Sequence, residues 1–179
     1  MRFILITVAF LGLLSFFGVN LAVAQPVEPT STTSSEVSSY VLFWPLTAGK
    51  TEGDSLYSLK LFKEQVRGWF TFGDMNKADY AVELGTKRVL EAEKLLLAGK
   101  NDLAVKTLAE ADSELQSVYR YVKNTAAKRS ITRDEIRRDR LIYVKRLIDY
   151  LKIVAPEETH PGLDGVKESA DAILRDYLP

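Results

Sequence analysis

The side chains able to hold a metal or move a proton are few in kind and poorly placed for it. The chain has 179 residues, no Cys and one His, which excludes thiolate metal sites, disulfides and a Cys nucleophile. His160 stands between Thr159 and Pro161, where a turn is expected, with no second imidazole to share an ion. Zinc, di-iron and haem ligation are therefore not expected, and no cofactor is. Glu91 and Glu93 lie two apart on one predicted helix, and Glu110, Asp112 and Glu114 are spaced the same way on the next. That spacing sends neighbouring carboxylates to different faces, so no acid–base dyad forms. Glu110 and Glu114 do share a face, which is expected to be solvated. No Gly-x-Ser-x-Gly, Walker-type, Gly-x-Gly-x-x-Gly or calcium-loop segment occurs. Catalysis is not expected.

Charge is the one uneven feature. The whole chain balances 24 Lys plus Arg against 24 Asp plus Glu. Between Arg120 and Arg146, however, ten bases face only Asp134, Glu135 and Asp139, a local net of +7. Several arginines crowd the start of a predicted helix, where the helix dipole disfavours cations. Lys128, Arg129, Arg133, Arg137 and Arg138 are thus the candidate patch for an anionic partner: lipid headgroups, an acidic wall polymer or an acidic protein surface of the cell envelope. The plainer alternative has these arginines covering apolar surface and pairing with neighbouring helices. Nucleic acid is not an expected partner for an exported chain. Phe43, Trp44, Trp69, Phe70 and Phe72 could stack on sugars, but their spacing favours core packing.

The elements positioning these residues begin after an address. Arg2 precedes an apolar run from Phe3, which ends in Ala22-Val23-Ala24, a small-x-small pattern fit for signal peptidase. Residues 1–24 read as a signal peptide. The alternative is an uncleaved anchor, since 22 residues at ~1.5 Å each can cross a ~30 Å hydrocarbon core. Membrane contact is expected only through this segment, if it is retained. Residues 25–39, rich in Ser, Thr and Pro, read as a disordered linker. Residues 40–179 form one helical domain.

Within it, 40–46 is expected to be an extended arm, too short for a helix and stopped by Pro45. A first helix is expected from an Asp54-Ser55 cap, with Leu56, Leu59, Phe62, Val66 and Trp69 inward. A second runs from Asp74 to Ala98, with Ala78, Val82, Gly85, Val89, Ala92 and Leu96 at heptad spacing. Three of these six are Ala or Gly, so a neighbouring backbone can come close. A third, capped by Asn101, carries Ala104, Leu108, Ala111, Leu115, Val118 and Val122, and the turn Gly99-Lys100 makes the pair an antiparallel hairpin. A fourth opens with the capping box Thr132-Arg133-Asp134-Glu135, carries Leu141, Val144, Ile148 and Leu151, and ends near Val154. A fifth begins near Pro161, with Leu163, Val166, Ala170, Ile173 or Leu174, and Tyr177 inward. The fold class is all-α: an antiparallel bundle of about five helices.

Several segments in this order resemble an uncharacterised exported helical family, domain of unknown function 5667. They are Tyr40 to Pro45, Asp54-Ser55-Leu56-Tyr57-Ser58-Leu59-Lys60, Trp69-Phe70-Thr71-Phe72, Glu83 to Glu93 followed by Gly99, and Ala155-Pro156-Glu157-Glu158 with Pro161. The likeness covers about 40–175. It departs in a longer Leu46 to Gly53 loop and in Ser58 and Gly85. It implies an exported helical protein and supplies no catalytic residues. The expectation is an exported, non-enzymatic interaction or scaffold module of the envelope. The alternatives are a small-ligand-binding bundle and a membrane-anchored sensor.

Overall fold

Apolar side chains recurring three and four apart can be hidden only by coiling the chain and packing coil against coil, and the protein does this. The computed structural model describes residues 39–122 and 131–177, together with their side chains except those of 131, 132 and 177. The readings of 1–24 as signal peptide and of 25–38 as linker lie outside the described residues, as do Lys128, Arg129, the Thr132 cap and the Tyr177 side chain. The helices are α1 (Ser39–Phe43), α2 (Tyr57–Trp69), α3 (Asp74–Leu97), α4 (Asn101–Val122), α5 (Ile131–Val154) and α6 (His160–Tyr177). A 3₁₀ turn, Glu157–Thr159, precedes α6. No strand occurs among the described residues, which all fall within one compact unit, Glu36–Pro179. None of the described helices is long and apolar enough to cross a membrane.

Helices α3 to α6 close around a shared apolar core. Ala78, Val82, Gly85, Val89 and Ala92 of α3 are buried, as are Ala104, Leu108, Ala111, Leu115, Val118 and Val122 of α4. The closest approach is at Gly85, where a Cβ would lie 2.9 Å from Leu115 Cγ. The hairpin turns at Gly99, whose φ of 69° suits a residue without a side chain. Its N–H donates to Leu96 O, and that of Lys100 to Leu95 O, both at 2.9 Å, closing the helix end in a Schellman motif. Leu141, Val144, Leu147, Ile148 and Leu151 of α5 meet Leu163, Val166, Ala170 and Ile173 of α6, all fully buried.

Side-chain pairs give the helix directions. Lys152–Asp164 and Lys145–Asp171 make α5 and α6 antiparallel. Arg133 with Asn76 and Arg137 with Asp79 bring the starts of α5 and α3 together, running the same way. Gly162 against Leu108 and Gly165 against Asp112 make α4 and α6 parallel. Two antiparallel hairpins thus pack side by side.

Three expectations need correction. Residues 39–43 close into a short helix rather than an extended arm, because Phe43 anchors them, buried edge-to-face on Tyr143 at 6.3 Å. Asp54 does not cap α2. Its carboxylate instead accepts the Thr51 N–H at 2.8 Å in the preceding turn, a bond that holds its pKa below the ordinary value. The third correction is larger. Leu56, Leu59, Phe62 and Trp69, expected inward, are exposed, and so are Phe70 and Phe72, all between 54% and 72%. Trp44 is exposed too, so of the five aromatics expected in the core only Phe43 is there. The reason lies on the opposite side of α2.

Candidate functional site

The inward side of α2 carries Tyr57, Lys60 and Glu64, spaced to share a face, and beneath it α3 presents Arg88 and Glu91. Glu91 is wholly buried and accepts hydrogen bonds from Lys60 Nζ and, at 2.9 and 3.1 Å, from Arg88 Nη1. Arg88 Nη2 donates to Glu64 Oε2 at 2.7 Å, and its Nε lies 3.1 Å from Glu110 of α4. Tyr80 of α3 donates its hydroxyl to the Glu64 carbonyl at 2.7 Å. Further along, Arg67 forks onto Glu83 at 2.8 and 3.1 Å.

A buried charge is tolerable only when paired. Arg88 and Glu91 cannot join the apolar seam, and the side chains that satisfy them arrive from α2 and α4. This overrides the apolar periodicity of α2: its charged side docks and its apolar side is left outward. The cluster does more to fix where α2 sits than to add net stability, since desolvation offsets much of the attraction in a buried ion pair.

The pKa shifts follow from the same packing. Burial works against the Arg88 charge, but Glu91 and Glu64 outweigh it and raise its pKa. Burial raises Glu91, against the hydrogen bond from Lys60 and the charge of Arg88. Burial also raises Glu114, with Arg88 opposing. The Tyr57 hydroxyl, desolvated by burial, is pushed up to about 12. Glu83 is lowered, because Lys87 and Arg67 together overcome its desolvation.

Beside the cluster, a cleft of about 600 Å³ separates α2 from the α3–α4 hairpin. Glu64, Arg88 and Glu114 line it together with Tyr80, Trp69 and Phe72. Glu110 and Glu114, expected on a solvated face, are therefore corrected: one binds Arg88 and the other faces this cleft. Glu91 and Glu93 do point apart, Glu93 meeting Ser39 on the other side of α3.

Of the candidate basic patch, Lys128 and Arg129 lie outside the described residues, and the other three sit in different surroundings. Arg137 is buried, with Nε donating to Asp79 at 2.7 Å and Nη1 to Asp134 at 2.8 Å, so it is committed internally. Arg133 is exposed but reaches Asn76 at 2.9 Å, and Arg138 is half-buried. The alternative reading, arginines pairing with a neighbouring helix, describes Arg133 and Arg137. His160 opens α6 rather than lying in a turn, its Nε2 3.3 Å from Ala155 O. Among the described residues, no three His, Asp or Glu side chains converge on a point that could hold a metal.

The fold and this geometry define the class: an all-α bundle with one outlying amphipathic helix held by charge. The chain belongs to the family described as domain of unknown function (DUF5667), whose model matches residues 49–152. The match takes in α2 to α5 and leaves α1 and α6 outside, narrower than the 40–175 expected. No curated protein and no solved structure matches the chain.

Proposed function

We propose that the chain is an exported, non-enzymatic interaction module of the cell envelope, in which α3–α6 are a rigid support and α2 is the contact element. The observation that carries this is the outward apolar side of α2, with Leu59, Phe62 and Trp69 exposed over a bundle whose core is built from other side chains. Several exposed apolar side chains on one helix side mark an interaction site when they form a common surface. The non-enzymatic part rests on the commitment of the carboxylates, since Glu64, Glu91 and the more exposed Glu110 are held by Lys60 and Arg88. Export rests on residues 1–24, and N-terminal sequencing of the mature chain separates a cleaved signal from a retained anchor with a sensor role.

The test is a photo-crosslinking amino acid placed at Phe62 or, as control, at exposed Glu168 of α6, in cells producing the full chain. Adducts at 62 and not at 168 are expected. Absence of adducts at 62, or equal adducts at both, would overturn the assignment of α2.

The cleft favours a second reading, capture of a small amphiphile. Native mass spectrometry of the full chain would then show a bound small molecule that Leu84→Trp removes.

A further inference from the structure

We infer that the occupant of the outward face of α2 is the surface of an anionic lipid bilayer, a deepening that rests on α2 being the contact element. Three observations point to lipid rather than to a protein groove.

The first is chemical. Leu56, Leu59 and Phe62 are exposed along α2, and Trp69, Phe70 and Phe72 are exposed at its end, Trp69 and Phe72 where the face meets the rim of the cleft, a set weighted toward the aromatics that settle at the boundary between headgroup and acyl chain. The second is electrical. From Ser55 to Phe72 the only acid is Glu64, and it is turned inward onto Arg88. The outward surface therefore carries Lys63 with no acid of α2 beside it, while Arg67 is committed to Glu83 of α3. Apolar rings beside an exposed lysine, with no carboxylate among them, complement an anionic headgroup layer. The third is reach. Thirteen helical residues at ~1.5 Å each make a rod of about 20 Å, which can lie in the headgroup plane but not span it. The 14 residues numbered 25–38 cover at most about 50 Å when drawn out. An apolar segment 3–24 left in a bilayer would thus keep α2 within range of that same surface.

Docking needs no rearrangement of the core, because Lys60 and Glu64 already hold the polar side of α2 against the hairpin. The bundle then stands on the membrane with α2 between it and the lipid.

Trp69 supplies the probe. In the full chain carrying Trp44→Phe, the sole remaining tryptophan lies on the proposed contact face. Mixed with vesicles of phosphatidylcholine and phosphatidylglycerol, Trp69 emission should shift to the blue and be quenched by brominated acyl chains. In phosphatidylcholine alone the quenching should be much weaker. Lys63→Glu with Phe62→Ser should weaken the quenching by about tenfold or more in lipid concentration, with the helical circular dichroism unchanged. Trp69 emission that stays unshifted and unquenched on vesicles to which the chain is bound would overturn the lipid assignment. So would quenching indifferent to phosphatidylglycerol and to Lys63→Glu. Protein adducts from Phe62 in the crosslinking experiment, with no quenching by bromolipid, would sink the lipid inference while leaving α2 as the contact element.

Discussion

Replacing Arg88 with Met removes a side chain that touches three carboxylates. Met fills most of the volume, so the effect is almost wholly electrostatic. Glu91, fully buried, keeps Lys60. Glu64, 13% exposed, loses its 2.7 Å partner. Glu110, 37% exposed, is screened by water and contributes little. Breaking a buried pair from one side costs ~3–5 kcal/mol, and the surviving Lys60 contact puts the expectation near the lower figure, about 3 kcal/mol at neutral pH. For a unit of roughly 140 residues this is a fall of about 10 °C in Tm. The pH dependence gives a second handle. Burial already raises Glu91, and removing the guanidinium raises it further. A carboxylate whose folded pKa is raised penalises the fold fully above that pKa and not at all below the unfolded value. The deficit of Arg88→Met should therefore shrink as pH falls from 7 toward ~4.3, the unfolded Glu value. Thermal melts followed by circular dichroism at both ends of that range measure it. A Tm within 2 °C of the parent at pH 7, or a deficit that grows on acidification, would refute the reasoning, the threshold being less than about 1 kcal/mol.

Glu114→Gln should raise Tm at pH 7, because burial raises Glu114 and its ionised form burdens the fold, and the gain should fade toward the unfolded pKa of ~4.3. Equal gains at both pH values would contradict it. Gly85→Ala sets ~1–3 kcal/mol of overpacking against Leu115 beside ~1 kcal/mol gained in helix propensity, so a small net loss is expected, and Gly85→Leu should lose far more. An unchanged melt for Gly85→Leu would mean that the α3–α4 seam is not packed as described. Arg137→Gln should cost about 2 kcal/mol through its charged hydrogen bonds to Asp79 and Asp134, whereas Arg133→Gln, on the exposed side, should stay within ~1 kcal/mol in chemical denaturation. The reverse order would restore Arg137 to the surface.

The bundle was legible because its information is local. Ala104, Leu108, Ala111, Leu115, Val118 and Val122 repeat at the helical period and are all buried, and Gly99 marks the turn by its own chemistry. Gly85 was legible for the same reason, a small residue in an otherwise regular seam. The charged cluster was not. Glu91 looks like any helix-surface carboxylate until Lys60, 31 residues earlier, is known to lie over it, and Arg88 finds Glu64 across 24 residues. The apolar face of α2 misled for the same reason: periodicity reports that a helix has two sides, and its partner decides which one docks.

The orientation of α2 underlies the interaction reading and the lipid inference alike, and thiol labelling tests it most directly because the chain has no cysteine of its own. Phe62→Cys and Leu84→Cys, introduced singly, place a thiol on the outward face of α2 and on the α3 surface beneath it. With α2 docked by its charged side, Cys at 62 reacts with a maleimide at the rate of a free thiol and Cys at 84 far more slowly. Protection at 62 together with rapid labelling at 84 would contradict that orientation.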